Sequence, residues 1–145
     1  MKKQKYRNGI FIVTYRITEG KPEYLILKRK LHWNGWEFPK GGIKKFESDR
    51  RTVKRELLEE TGLKPLKIIS LKEKGKYNYT HKFLDRKNIT GQTYSLFAAE
   101  VEKGKVKIST IEHSDYKWVD SKTAIKLLTW PNQRKCLRIA NSYLK

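Results

Sequence analysis

Gly41-Gly42-Ile43-Lys44-Lys45-Phe46-Glu47, seven further residues, and then Arg55-Glu56-Leu57-Leu58-Glu59-Glu60-Thr61-Gly62-Leu63 form the stretch that decides how this chain is read. From Ser48 to Thr61 there is neither Gly nor Pro, and most positions favour helix. The spacing therefore predicts a helix that Ser48 caps at its start and Gly62 ends. Within it Val53, Leu57 and Leu58 fall at helical spacing and are expected to face a core, whereas Glu56 and Glu60 lie one above the other on a neighbouring face. Like charges four apart weaken a helix by about 0.2–0.5 kcal/mol. Folding alone does not ask for such a pair, but a hard dication between the two carboxylates would turn repulsion into ligation. Arg55, four residues before Glu59, is expected to hold that side chain by a two-pronged contact and leave Glu56 and Glu60 aimed at the ion. Taken alone, a glutamate run of this kind also reads as a solvated helix face.

The full spacing is more specific than the glutamates. Gly41, five residues, Glu47, seven residues, Arg55-Glu56-Leu57, one residue, Glu59-Glu60, one residue and Gly62-Leu63 resembles the Nudix box with every fixed position filled. The resemblance implies an α/β protein, an alpha/beta/alpha sandwich around a mixed sheet. It also implies a hydrolase of nucleoside diphosphates linked to another moiety, with Mg2+ or Mn2+ held in a loop-helix-loop. Carried over residue by residue, it implies that Glu56 and Glu60 are the principal metal ligands and Glu59 a further ligand or the base. The main-chain carbonyl of Gly41 would complete the site, and Glu47 would lie near the metals or be salt-bridged to Arg55. Gly62 would end the helix so that Leu63 returns to the core. Such ligands suit a pyrophosphate, itself a polyanion, because water attacks its phosphorus only once metals neutralise the oxygens and lower the water's pKa.

At 145 residues the chain suits one domain spanning 1–145 that buries roughly two-thirds of its unfolded surface. Lys and Arg number 34 against 15 Asp and Glu, a net charge of +19. A field of that sign favours polyphosphates, nucleotides or RNA, although lysines scattered along the whole chain also suit a solubility role. No apolar run approaches about 18 residues, and nothing of signal-peptide character follows Met1-Lys2-Lys3-Gln4-Lys5. The expectation is a cytoplasmic protein with no membrane association and no implied protein partner. Cys136 lies among Leu137, Ala140 and Leu144 and is expected to be a small buried hydrophobe.

Strands are expected at Gly9–Tyr15 and Glu23–Leu27, joined by a turn around Gly20-Lys21-Pro22, and again at Leu66–Leu71, Thr93–Val101 and Tyr116–Val119. The continuous run Ile10-Phe11-Ile12-Val13 suggests strands covered on both faces. Two helices should close the chain, Ser121–Leu128 capped by its serine and Asn132–Leu144 with Pro131 in its first turn. The box helix and this pair would cover opposite faces of the sheet.

Leu31-His32-Trp33-Asn34-Gly35-Trp36-Glu37-Phe38-Pro39-Lys40 is an aromatic loop that ends in a base just ahead of Gly41. Its tryptophans either stack on a nucleobase or plug the sandwich, and Lys40 and His32 are candidate phosphate contacts. With Tyr77-Asn78-Tyr79 and Ile111-Glu112-His113-Ser114-Asp115-Tyr116-Lys117-Trp118-Val119, this loop resembles the animal and archaeal type of diadenosine tetraphosphate hydrolase in the Nudix family. That resemblance implies that Glu112 reaches the metals or the attacking water, that Lys40 and His32 grip the polyphosphate, and that Tyr79 stacks on adenine. Glu59, Glu60, Glu112 and Arg55 are then the expected catalytic group. The chain departs from the type after Tyr79, where Thr80 to Asn88 reads as a longer, more basic loop. Trp36 to Gly42 and Gly91-Gln92-Thr93-Tyr94 also resemble the RNA 5′-pyrophosphohydrolase branch, so an RNA 5′ end is the alternative substrate, with a nucleoside triphosphate behind it.

Overall fold

The computed structural model describes residues 5–79 and 88–144. Most of the basic loop expected after Tyr79 lies at 80–87, outside the described residues. Strands β1 (Tyr6–Thr18) and β2 (Lys21–Arg29) form a hairpin whose turn is Glu19-Gly20. Both turn residues have positive φ, 52° and 77°, the primed geometry that matches the twist of the flanking strands. The turn thus falls one step before the expected Gly20-Lys21-Pro22, and Lys21 and Pro22 already belong to β2.

The hairpin does not stay together. β1 pairs with β2 only where Tyr15–Thr18 face Lys21–Tyr24. Beyond that point the strands splay, and β3 (Gly35–Glu37) and β4 (Lys40–Gly42) fill the gap: β3 pairs with the Leu27–Arg29 end of β2, and β4 with Gly9–Phe11 of β1. The Ile12 amide donates to the Pro39 carbonyl at 3.0 Å, and the fully buried Phe38 plugs the opening between them. The other edge of β2 carries β7 (His113–Val119), antiparallel. On the far side β6 (Gly91–Val101) runs parallel to β1 from Tyr6 to Tyr15, and β5 (Pro65–Asn78) pairs antiparallel with β6, giving a seven-stranded mixed sheet.

Both faces are covered, as the apolar run in β1 predicts. Ile10, Ile12, Leu25, Leu27, Phe97 and Ala99 pack with Val53 and Leu57 of α1 (Asp49–Thr61). The alternate residues Phe11, Val13, Ile26, Leu96 and Ala98 pack with Ala124, Leu128, Cys136, Leu137 and Ala140. These belong to α2 (Ser121–Leu127), α3 (Pro131–Leu144) and the junction between them, so the layers are alpha/beta/alpha. Truncating Leu57, which is fully buried, to Ala would cost about 2–5 kcal/mol.

Two local expectations need correction. Leu58 is 54% exposed, because the core stripe of α1 runs through Thr52, Val53, Glu56, Leu57 and Glu60, and Leu58 lies past its edge. The cap of α2 is Asp120, whose carboxylate accepts from the Thr123 amide at 2.8 Å, and Ser121 is the first helical residue. Ser48 and Gly62 cap α1 as expected: Ser48 accepts from the Arg51 amide, and Gly62, at φ 72°, donates to the Leu58 carbonyl. Cys136 is fully buried, and burial raises its thiol pKa to about 11.

Candidate active site

The site forms where β1 and β2 part. β4 leaves the gap at Lys40-Gly41-Gly42 and runs beside α1, which points Glu56 and Glu60 toward it. The contact at Gly41 is close enough that a Cβ there would collide with the Glu56 carboxylate. This approach of backbone to carboxylate is the reason the position takes glycine. The Lys40 amide donates to Glu60 Oε2 at 3.2 Å.

Arg55 does not hold Glu59 by two prongs. Its planar pair goes to Glu47, Nε to Oε2 at 2.7 Å and Nη2 to Oε1 at 2.8 Å. Nη2 also donates to the Gly42 carbonyl at 2.8 Å, and Nη1 reaches Glu56 at 2.7 Å and, more weakly, Glu59 at 3.3 Å. The loop before α1 brings Glu47 alongside Arg55, the salt-bridged alternative that the box resemblance implied and that helical spacing alone could not reveal. The Arg55 hydrogen bonds hold the Glu47 carboxyl far below the ordinary carboxylate range.

A pocket of about 170 Å3 is lined by Glu56, Glu59, Glu60, Glu112, Gly41, Gly42, Lys40, Arg29, Arg7, Gln92 and Ser109. Four of the expected ligands are thus carboxylates brought to one cavity from α1 and from the turn before β7. Burial raises the pKa of Glu56, with Arg55 opposing it. Burial raises Glu60 well above the usual value, and the negative neighbours Glu37, Glu56 and Glu112 add to the rise. Four converging carboxylates, two of them buried, Glu56 and Glu60, with raised pKa values, fit a hard divalent ion. Oxygens of Glu60 and Glu112 and one ring nitrogen of His113 lie within 4.8 Å of one another. Glu112 is anchored through its carbonyl, which accepts from the Lys30 amide at 2.9 Å, while its partly exposed side chain lies 3.9 Å from Arg29.

A second cavity of about 470 Å3 carries the rings of Phe11, Trp33, Tyr77, Tyr79 and Trp130, with Arg29, Lys40 and Lys76 also in its lining. Trp33 and Trp130 meet edge to face at 5.2 Å, and Tyr77 and Tyr79 do so at 6.1 Å. His32 and Tyr79 line this cavity, so His32 stands with the aromatic groups and not in the acidic pocket. Among the described residues only Arg29 and Lys40 line both cavities. Trp36 is in neither; it packs against the α2/α3 core with Lys117 over its ring at 5.3 Å.

Sequence reasoning missed Arg29, Glu37, His113 and Trp130. Glu37 and His113 are fully buried, and Glu37 Oε2 lies 2.7 Å from His113 Nε2 and 3.2 Å from Arg29 Nη1. A charged residue inside an aromatic run, as in Trp36-Glu37-Phe38, was the available signal for Glu37.

The NUDIX domain family matches residues 5–138. The chain belongs to the Nudix family. An RNA pyrophosphohydrolase from a Nitratiruptor species is 32% identical over 136 residues, covering 90% of this chain and 88% of that protein. The bis(5′-nucleosyl)-tetraphosphatase (asymmetrical) of Rattus norvegicus is 29% identical over 123 residues, 84% of this chain and 80% of the rat protein. A C. elegans Ap4A hydrolase structure superposes with a TM-score of 0.78 at 23% identity over 95% of this chain and 97% of that one, a likeness of fold. This Nudix protein is accordingly a pyrophosphohydrolase. Nudix hydrolases generally use divalent metals, and the acidic pocket is the candidate place for one here. No helix among the described residues is long and apolar enough to cross a membrane.

Proposed function

We propose that this Nudix hydrolase cleaves a pyrophosphate linkage of a dinucleoside polyphosphate, such as diadenosine tetraphosphate, with Mg2+ or Mn2+ in the acidic pocket. The observation that carries the reading is the junction of the two cavities: Arg29 and Lys40 line both the aromatic cavity and the carboxylate pocket. A base seated among Trp33, Trp130 and Tyr79 would pass its phosphate chain across two cations into the pocket. Glu56, Glu60, Glu59 and the Gly41 carbonyl would hold the metal, with Glu112 beside them. Bound there, a dication neutralises phosphate oxygens and lowers the pKa of the attacking water. Lys40 and Arg29 orient the phosphates, Arg55 fixes the Glu56 carboxylate, and Glu112 or the more exposed Glu59 takes the water's proton.

The test is product analysis in 18O-water over a panel of dinucleoside polyphosphates, nucleoside triphosphates and 5′-triphosphorylated RNA. Dinucleotides are expected to be the fastest members, with 18O in one nucleotide product. Faster release of pyrophosphate from RNA would replace this reading with the RNA 5′-end one, which the charge of +19 and the Nitratiruptor relative favour.

A further inference from the structure

The geometry points to Glu37 as a positioning residue of the hydrolytic site, one that acts through Arg29, Lys40 and His113 and touches no substrate itself. Glu37 lines neither cavity, yet two of its three charged or ionisable partners are the two residues that line both. Its Oε2 takes Arg29 Nη1 at 3.2 Å, and its Oε1 faces Lys40 Nζ at 3.6 Å. The Arg29 and Lys40 side chains are only 4% and 11% exposed, so neither cation is held by water. Apart from Glu37, the one carboxylate that reaches either within 4 Å among the described residues is Glu112, at 3.9 Å from Arg29. Fully buried Glu37 is thus the fixed counter-charge that holds both cations against the cavity wall. Lys40, at 3.6 Å, is near enough to be held yet beyond hydrogen-bond length, which leaves its ammonium protons for a phosphate.

The third partner carries the effect across the site. His113, fully buried at the start of β7, presents Nε2 to Glu37 Oε2 at 2.7 Å. It does not line the acidic pocket, so its place is behind the wall. Glu112 precedes it directly. The Glu37–His113 contact therefore ties β3, which bears Glu37, to the backbone from which Glu112 reaches the pocket. One carboxylate at the parting of β1 and β2 sets both the cationic wall and the overhanging acid.

This inference rests on the hydrolase reading, and the experiment separates the two. Glu37→Gln keeps the shape and removes one negative charge beside two cations, so attraction for phosphates does not fall while their placement does. The expected result is a kcat lower on the order of 10²-fold with no rise in KM. Binding of β,γ-methylene ATP with Mg2+, followed by calorimetry, should be no weaker than in the wild type. A kcat within about twofold of wild type would overturn the inference, as would a loss of analogue affinity in proportion to the loss of kcat at a temperature where both proteins are folded, the mark of a merely structural role. His113→Phe supplies a second arm. It should lower kcat in the wild-type background but have little further effect in a Glu112→Gln background; additive losses in that cycle would overturn the link. Where Glu37→Gln does not fold, this cycle decides alone. A wild type inactive on dinucleotides would sink the proposed substrate only, and the Glu37 effect would be read on whichever panel member is turned over.

Discussion

Arg55 grips Glu47 with two parallel contacts, Nε to Oε2 at 2.7 Å and Nη2 to Oε1 at 2.8 Å, and uses its remaining nitrogen on Glu56 at 2.7 Å. One planar group thereby locks the loop before α1 to the helix and aims a pocket carboxylate. A lysine supplies the charge but not the fork. Arg55→Lys is expected to lower kcat/KM by about 10–100-fold with circular dichroism unchanged. Wild-type kinetics in this variant would mean that the fork is not needed.

The pocket carboxylates give the largest expected effects. Glu56→Gln and Glu60→Gln should each reduce kcat on the order of 10²-fold or more with the fold intact. EDTA should abolish turnover by the wild type, and Mg2+ or Mn2+ should restore it. Retention of full activity by both variants on every panel substrate would place the chemistry elsewhere.

Glu112 reaches the pocket from a backbone tied to Lys30, whereas the Glu59 side chain is 53% exposed on α1. A group that holds the attacking water is engaged mainly in the transition state, so Glu112→Gln should lower kcat more than it raises KM. Steady-state kinetics decides the point, and an unchanged kcat would leave Glu59 as the better candidate for the base.

Glu37 makes acid stability informative. Burial alone would raise its pKa, but Lys40, His113 and Arg29 overcome that and hold it at about 2, against 4.5 ordinarily. As pH falls the unfolded chain takes up this proton first, so the stability that Glu37 contributes is present above about pH 4.5 and is lost toward pH 2. The full span is about 3 kcal/mol. Urea unfolding of wild type and Glu37→Gln should therefore give free energies that converge as pH is lowered through this window. A pH-independent difference would show that Glu37 is not held charged in the fold.

Salt separates the substrate classes. An RNA end should engage lysines beyond the pocket and lose affinity steeply with salt, whereas a dinucleotide neutralises few charges and should respond weakly. A steep slope for RNA in a filter-binding series, with RNA also the faster substrate, would put the RNA end ahead of the dinucleotide.

What the sequence by itself determined lies within single elements. The caps of α1, the stacking of Glu56 over Glu60 and the two-sided covering of β1 follow from helical and strand periods that depend on a few neighbouring residues. The box spacing, which runs from β4 into α1, carried the family and the helix carboxylates Glu56, Glu59 and Glu60. Only the tertiary structure decided the contacts between elements. Of the two places that the family resemblance allowed Glu47, the fold chose the one beside Arg55, because the loop from β4 returns there. Trp33 found Trp130, far along the chain, and together they wall the aromatic cavity. Glu37 became a buried hub because β1 and β2 part and the short strands β3 and β4 fill the opening. No local pattern encodes that parting, since it is set by how β7, β2 and the inserted strands share backbone hydrogen bonds. The same topology carries Arg29, Lys40 and His113 to one carboxylate.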